Sequence, residues 1–252
     1  VNALSTLLIA EIHRGGKIYR QTYSKGAPTS KVEIIGDCED RGTTITFKPD
    51  AEIFSLTQEY KYAILANRLR ELAFLNKGVN LDLTDRREKD ENGEYLHEHF
   101  YSDNGLKGFV EYLDESRGQK IIDDIIYIDT EKNGTPVEVA MQYNDSYNEN
   151  LLTFANNINT IEGGTHEIGF KTALTKVFND YGRKYNIIKE SEKNLSGEDV
   201  REGLCAIISV KLENAQFESQ TKAKLGNSEM RRLVDKIMSQ KLAEFLEENP
   251  SA

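Results

Sequence analysis

The feature that most constrains the fold of this chain is a repeated switch between a two-residue and a 3.6-residue apolar period. Val79, Leu81 and Leu83 alternate with polar residues, as in a β-strand, and residues 4–14 and 17–24 are strand-like runs. They flank Gly15 and Gly16, a pair that is characteristic of a two-residue hairpin turn. The chain therefore opens with a β-hairpin, and an all-α fold is excluded.

The helix-like segments share an apolar residue at every third or fourth position. The first follows Thr57, a candidate N-cap, and is expected to stop at Gly78. A second begins near residue 104, and a third follows Thr165, which can cap it. The last covers residues 228–248 and is the longest. These segments exclude an all-β fold.

Strand-like runs separate the helices along the whole chain. Beyond the first hairpin they cover residues 31–35, 43–47, 79–83, 95–101, 124–129, 137–143 and 204–212. Strands and helices in this order predict an α+β protein. A polar, charged stretch over 85–103 ends the first group of elements, so we expect two units, 1–103 and 104–252.

Composition narrows the class of protein further. The 252 residues are 29% charged and carry a net charge of −10, which argues against a surface that is coated with nucleic acid throughout. No apolar run reaches the roughly 20 residues that a membrane span needs. Cys38 and Cys205 are the only cysteines, which suggests a reducing, cytoplasmic setting. Two cysteines and four histidines without ligand spacing predict no metal site.

One short loop carries a candidate binding function. Gln220, Thr221 and Lys222 precede the last helix and bring an amide donor and an ammonium group to a flexible run. A lysine on such a loop is a mobile point charge that suits a phosphate, and a glutamine adds a neutral donor. A solvated surface loop is the alternative reading of the same residues.

Several stretches resemble the family of DNA gyrase B subunits, in order and over essentially the whole chain. They are Arg41-Gly-Thr-Thr-Ile-Thr-Phe-Lys-Pro-Asp50, Arg68-Leu-Arg-Glu-Leu-Ala-Phe-Leu-Asn76, Gln142-Tyr-Asn-Asp-Ser-Tyr147, Asn156-Asn-Ile-Asn-Thr160, Glu162-Gly-Gly-Thr-His-Glu167, Asp199-Val-Arg-Glu-Gly-Leu204 and Gln220-Thr-Lys222. The resemblance implies the rear of an ATPase α/β sandwich of the gyrase and histidine-kinase type. A ribosomal-protein-like βαβ transducer domain and a long C-terminal helix would follow it.

The resemblance also implies what this chain lacks. Family members carry a helix with the catalytic glutamate and a magnesium-binding asparagine, then an adenine-binding turn and a glycine-rich lid, and none of these precedes Val1. We therefore expect a fragment that starts just after the lid, holds none of the Mg²⁺ ligands and does not hydrolyse ATP by itself. ATP turnover by this chain at the rate of an intact gyrase B protein would contradict that expectation.

The resemblance assigns roles to five residues. Thr43 corresponds to a threonine near the adenine, and Ile45 to an apolar wall of the same pocket. Arg14 corresponds to a pocket-rim arginine that is linked to coumarin-type inhibitors. Lys222, with Gln220 beside it, corresponds to the lysine that reaches the terminal phosphate of ATP and stabilises its charge.

DNA and protein partners follow from the same resemblance. Lys171, Arg183 and Lys184 lie on a basic helix that could line a DNA cavity, although a solvated helix face is the alternative. The implied parent is an ATP-dependent type II topoisomerase that needs Mg²⁺, pairs with a second copy of itself and with the gyrase A protein, and supercoils double-stranded DNA. The B component of topoisomerase IV and a non-catalytic interaction module remain open alternatives.

Overall fold

A computed structural model describes residues 1–115 and 117–250 of the chain. Its contacts divide the chain into two compact units, Val1–Tyr62 and Ala63–Ala252. This division follows from the contacts among the residues of this chain. The expected family-level boundary near residue 103 stays a prediction.

The first unit is built on one antiparallel sheet. Its strands are β1 (Ser5–Arg14), β2 (Lys17–Ser24), β3 (Ala27–Pro28), β4 (Glu33–Asp37) and β5 (Gly42–Pro49). The order is β3-β2-β1-β5, and β4 also pairs with β2. The expected hairpin is confirmed, since Arg14 pairs with Lys17 across a turn in which Gly15 and Gly16 both have positive φ.

The second unit combines helices with a five-stranded sheet and a separate hairpin. Its elements are α1 (Tyr62–Leu75, whose first residue belongs to the first unit), β6 (Leu81–Lys89), β7 (Tyr95–Phe100), α2 (Leu106–Asp114), β8 (Ile126–Lys132), β9 (Thr135–Tyr143), β10 (Asn150–Ala155), β11 (Ile158–Asn159), α3 (Thr165–Lys184), α4 (Gly197–Arg201), β12 (Leu204–Val210) and α5 (Ser228–Glu248). The main sheet has the order β11-β10-β12-β9-β8, and β6 pairs with β7 alone. Strands β10 and β12 are parallel neighbours, and α3 lies between them in the chain. This βαβ crossover confirms the expected α+β class.

Strand β12 is the centre of the second unit because both of its faces are covered. All seven of its residues are buried. Leu204, Ala206 and Ile208 join the apolar cluster that α3 and α5 cover. Cys205 and Ile207 join a second cluster with α2 on the opposite face. A continuous apolar run is what such a doubly covered strand requires, and the sequence has one.

Two helix starts differ from the sequence prediction. Helix α1 begins at Tyr62, and the Thr57 hydroxyl accepts the Glu59 N–H at 3.1 Å in a local turn ahead of it instead of capping it. Thr165 is the first helical residue of α3, and its hydroxyl donates to Asn227 O at 2.7 Å. In both cases the threonine hydroxyl bonds to a partner other than the first-turn N–H groups that an N-cap would bind.

Strand β10 is an element that the apolar pattern did not predict. Its six residues are too few to show a clear period, and it is specified by parallel pairing with β12, some 55 residues further along the chain, where Asn150 lies opposite Cys205. In the part of the chain that the structure describes, no helix is long and apolar enough to cross a membrane.

Candidate functional site

The site residues predicted in the first unit share one face of its sheet. Thr43 lies opposite Ile12, and Ile45 lies opposite Ala10. Side chains that face each other across paired strands, or lie two apart on one strand, point to the same side of a sheet. Arg14 is therefore on this face too, two residues beyond Ile12. The structure brings all three predicted residues together.

This face is open and largely apolar. Ile45 is 50% exposed, and Ile12 and Phe47 are each 43% exposed on the same side. A contiguous patch of exposed β-branched and aromatic side chains is uncommon on the surface of a folded protein and is typical of a binding site. Thr43 and Arg14 add a hydroxyl and a guanidinium at the end of the strands that carries the Gly15–Gly16 turn. The arrangement can accept a flat, partly apolar group.

In the second unit, Gln220 and Lys222 lie at the tip of a hairpin-like loop, residues 216–226, which we call the arm. The two sides of the arm are joined by hydrogen bonds from Gly226 N to Gln216 O (2.8 Å) and from Glu218 N to Lys224 O (3.1 Å). At the tip, Lys222 N donates to Ser219 O at 3.0 Å, and Lys222 itself has a positive φ of 57°. The tip is a tight turn, and its side chains are exposed.

The base of the arm is fixed to the start of helix α3. Leu225 is fully buried, accepts the Thr165 N–H at 3.1 Å and donates its own N–H to Gly163 O at 3.1 Å. Ala223, also buried, accepts the Glu162 N–H at 2.9 Å. The arm therefore carries its tip on a rigid support, which reduces the ordering cost of any contact that the tip makes.

The Lys222 ammonium has no ion-pair partner in the part of the chain that the structure describes. Its Nζ lies 6.0 Å from the centre of the Phe217 ring, at the outer limit of a cation–π contact. Among the described residues no carboxylate is within ion-pair distance of it. Lys224, two residues along, pairs with Glu218 at 3.0 Å. Of these two lysines, Lys222 is the one with charge available for a ligand.

The predicted DNA-facing basic residues are engaged inside the second unit. Lys171 pairs with Glu149 at 3.1 Å and with Glu167 at 2.7 Å. Lys184 pairs with Glu247 at 2.6 Å. The Arg183 guanidinium donates to the carbonyl of Glu192 at 2.6 Å and to the side chain of Asn194. A role for these cations in lining a DNA cavity stays a prediction.

His166 is a buried residue rather than a general base. It has no exposed surface, and its Nε2 lies 3.2 Å from the Thr160 hydroxyl. Its Nδ1 has no hydrogen-bond partner among the described residues. Burial lowers the pKa of His166 from 6.5 to about 4, because the imidazolium would lose its hydration without gaining a counter-charge. A neutral imidazole in the core has no route to a substrate.

This burial gives a pH-dependent stability that can be measured. Below pH 6.5 the unfolded chain takes up a proton on His166 that the folded chain does not, so unfolding is favoured. We expect this contribution to be complete above pH 6.5 and to disappear as the pH falls to about 4, amounting to about 3 kcal/mol. Urea titrations at pH 7.5, 6 and 5 measure it.

The control separates His166 from the other titrating groups. A His166→Gln variant keeps a donor near the position of Nε2 and should show a shallower dependence on pH than the parent chain. An equal slope in the parent and in His166→Gln would mean that other groups cause it.

Sequence reasoning missed Asn227, which holds the arm in place. Asn227 is buried, its Oδ1 accepts the Gln216 N–H at 2.7 Å, and its Nδ2 donates to Asn214 O at 3.1 Å. Its backbone carbonyl accepts the Thr165 hydroxyl. The sequence showed only that Asn227 immediately precedes a helix, which predicts a helix N-cap and not a residue that holds the base of the arm.

Comparison with known proteins places the chain in a family. The family model described as DNA gyrase B matches residues 105–252, which is more than half of the chain. A DNA gyrase B protein of Bacillus mycoides is 51% identical over 251 residues, covering 100% of this chain and 61% of the relative. One from Clostridium acetobutylicum is 53% identical over 251 residues, covering 99% of this chain and 38% of the relative. The chain thus spans less than two thirds of the length of these relatives.

Solved structures agree with the sequence comparison. The 43K ATPase domain of Thermus thermophilus gyrase B, in complex with an aminocoumarin, has a TM-score of 0.81 at 35% identity, covering 99% of this chain and 66% of that one. The topoisomerase IV ATP-binding domain of Francisella tularensis, with a small-molecule inhibitor, has a TM-score of 0.78 at 26% identity, covering 99% and 66%. The resemblance read from the motifs is confirmed, and the chain belongs to the DNA gyrase B family.

Proposed function

We propose that this chain forms part of the ATP-operated clamp of a type II DNA topoisomerase, in which Lys222 detects the terminal phosphate of the nucleotide. The observation that carries the proposal is the Lys222 ammonium, exposed at the tip of the arm and without a carboxylate partner among the described residues. In a chain of the gyrase B family, an unneutralised cation at this position is suited to a triphosphate. Gln220 adds a neutral donor on the same turn.

Each unit, taken by itself, offers groups that suit one part of a nucleotide. In the first unit, the apolar side chain of Ile45 and the hydroxyl of Thr43 would contact the base, and Arg14 would lie at the rim. In the second unit, Lys222 and Gln220 would contact phosphate oxygens. The Mg²⁺ that accompanies ATP supplies further neutralisation of phosphate charge, and we assign no residue of this chain to it.

The Lys222 contact can work as a switch because it differs between nucleotide states. A ligand shifts a conformational equilibrium only by as much as its interaction differs between the two states. Lys222 has an anionic partner while the terminal phosphate is present and loses it when phosphate leaves. Because the base of the arm is bonded to the start of α3, that change acts on a rigid part of the second unit.

The same ammonium contributes to the chemical step. In phosphoryl transfer the bond from the bridging oxygen to the terminal phosphorus breaks and leaves its electron pair on that oxygen, and a fixed cation at the terminal phosphate stabilises this redistributed charge more than it stabilises bound ATP. Lys222 is thus the catalytic residue that this chain provides. Gln220 orients the phosphate through a weaker, neutral hydrogen bond.

The partners of the parent protein follow from the same proposal. They are a second copy of the gyrase B protein, the gyrase A protein and double-stranded DNA. Lys171, Arg183 and Lys184 are the proposed lining of the DNA cavity. Their present ion pairs and hydrogen bonds mean that DNA phosphates would have to compete with Glu149, Glu167 and Glu247 for the two lysines.

An activity assay separates gyrase from its alternatives. We expect the complete protein, reconstituted with the gyrase A protein, to supercoil relaxed DNA in an ATP-dependent manner. Identities near 50% to gyrase B proteins over nearly the whole of this chain support this outcome. Decatenation without supercoiling would identify a topoisomerase IV component. If the protein shows neither activity, and calorimetry detects no binding of a non-hydrolysable ATP analogue, the chain would be a non-catalytic module.

A further inference from the structure

We propose that His13, Cys38 and Asp40 form a binding site for Zn²⁺ at one end of the sheet of the first unit. Each residue offers one donor atom, and the three donor atoms lie within 4.8 Å of one another. His13 Nδ1 and Asp40 Oδ1 are 2.7 Å apart. Cys38 and Asp40 are 25 and 27 positions from His13 in the sequence, so no ligand spacing announces the site.

The sheet holds these three residues in place. His13 lies in β1, opposite Gly42 of β5 and Ile18 of β2. Cys38 follows β4 directly, and its N–H donates to Gly16 O at 3.1 Å. Asp40 lies in the short connection from β4 to β5. Four strands therefore converge on the cluster, and the backbone positions of the donors are fixed before any ion arrives.

The chemistry of the donors selects the class of ion. Imidazole nitrogen, thiolate sulfur and carboxylate oxygen together suit Zn²⁺ and its probe Co²⁺, whereas Mg²⁺ prefers oxygen ligands alone. In a tetrahedral zinc site with bonds of about 2.0–2.3 Å, donor atoms are about 3.3–3.8 Å apart. Small rotations about side-chain bonds bring the present cluster to that size.

Each of the three donor groups binds the ion in its deprotonated form. The imidazole binds as the neutral base, and the Cys38 thiol releases its proton to solvent as the sulfur–metal bond forms. His13 is only partly exposed and Asp40 is open to solvent, so the ion has a path into the site. Three protein donors leave a fourth position for water or for a ligand from a partner.

Cobalt spectroscopy of the reduced, metal-free 252-residue chain tests the proposal. We expect one Co²⁺ to bind with a thiolate-to-cobalt charge-transfer absorption, to be displaced by Zn²⁺, and to be unaffected by an excess of Mg²⁺. Cys38→Ser should remove the charge-transfer absorption. His13→Gln and Asp40→Asn should each weaken binding by at least about 10-fold. Circular dichroism checks that each variant is folded.

Controls distinguish this site from the other thiol and the other histidines. Cys205→Ser should leave the cobalt spectrum unchanged, since Cys205 is buried in β12. His97 and His99 both contact Asp82 on the β6–β7 hairpin and offer a rival site. If cobalt binds without a thiolate-to-cobalt absorption, and His99→Gln abolishes that binding, the proposal is overturned. It is also overturned if cobalt does not bind at all.

Alkylation gives a second measurement that does not depend on cobalt. Zn²⁺ should slow the reaction of Cys38 with iodoacetamide, followed residue by residue by mass spectrometry, while Mg²⁺ should not. Cys205 is the internal reference, because burial raises the pKa of its thiol to about 11 and keeps it unreactive with or without metal. Equal alkylation of Cys38 with and without Zn²⁺ would contradict the assignment.

Discussion

Replacing Lys222 with alanine in the complete protein should lower kcat for ATP hydrolysis about a hundredfold or more. The ammonium has no carboxylate partner among the described residues, so its charge is available to the terminal phosphate. Removing a single preorganised donor to developing charge typically costs about 10²–10³ in kcat, which corresponds to about 3–4 kcal/mol of barrier. Steady-state ATP turnover at saturating nucleotide measures the loss.

Folding should be unaffected by this change. Lys222 is exposed at the tip of the arm, and the hydrogen bonds that hold the base of the arm come from other residues, both from backbone groups and from the Asn227 side chain. The unfolding midpoint of the 252-residue Lys222→Ala chain should therefore match that of the parent chain. A lower midpoint would mean that lost turnover reports damage to the arm instead of a missing phosphate contact.

Lys224→Ala is the matched control for the same arm. It removes an equal charge two residues away, from a side chain that is paired with Glu218 at a partly exposed position. Exposed pairs of this kind contribute little to stability, and this one leaves no free charge for a ligand. Turnover within about twofold of the parent is expected. Unchanged turnover in Lys222→Ala, or an equal loss in both variants, would refute the specific role of Lys222.

Replacing Gly169 with alanine should destabilise the second unit by about 2 kcal/mol. Gly169 lies where α3 crosses α5, and a Cβ built on it would be 2.4 Å from the carbonyl oxygen of Arg231. It would also be 3.2 Å from the backbone nitrogen of Asp235. Backbone atoms cannot rotate away as a side chain can, so the two helices would have to separate and loosen the core between them.

The sign of this prediction results from two opposing effects. Alanine is favoured over glycine inside a helix by about 1 kcal/mol. Overpacking typically costs about 1–3 kcal/mol and more where the obstacle is backbone, so the clash exceeds the gain in propensity. Urea titration measures the balance. Lys176→Ala, on the exposed side of α3, should change stability by under about 0.5 kcal/mol. A Gly169→Ala chain as stable as the parent would show that α5 gives way easily.

Local pattern was enough to predict most of the elements. The Gly15–Gly16 hairpin, the apolar strand β12 and the long helix α5 were each indicated by a period or a turn that spans a few residues. The predictions were wrong or incomplete where a hydrogen-bond or strand partner outside the local pattern determines the structure. Thr57 and Thr165 use their hydroxyl groups differently from a cap, and β10 exists as a strand because β12 lies beside it.

For the same reason, the sequence selected the residues of the candidate site but did not predict their contacts. Motifs were sufficient to select Thr43, Ile45 and Lys222 through the family resemblance. They gave no indication that Lys224 pairs with Glu218 while Lys222 has no ion-pair partner among the described residues, nor that the Asn227 side chain holds the base of the arm. The free charge on Lys222 depends on where acidic side chains end up after folding.

The sequence by itself determined the α+β class, the family and the position of the proposed nucleotide-sensing lysine, because each of these is written in contiguous residues. Only the tertiary structure decided that Arg14, Thr43 and Ile45 share one face, and that His13 meets Cys38 and Asp40. The physical reason is that an apolar period specifies an element and its buried side. Which distant side chains then meet is fixed by strand register and by the packing of the elements against one another.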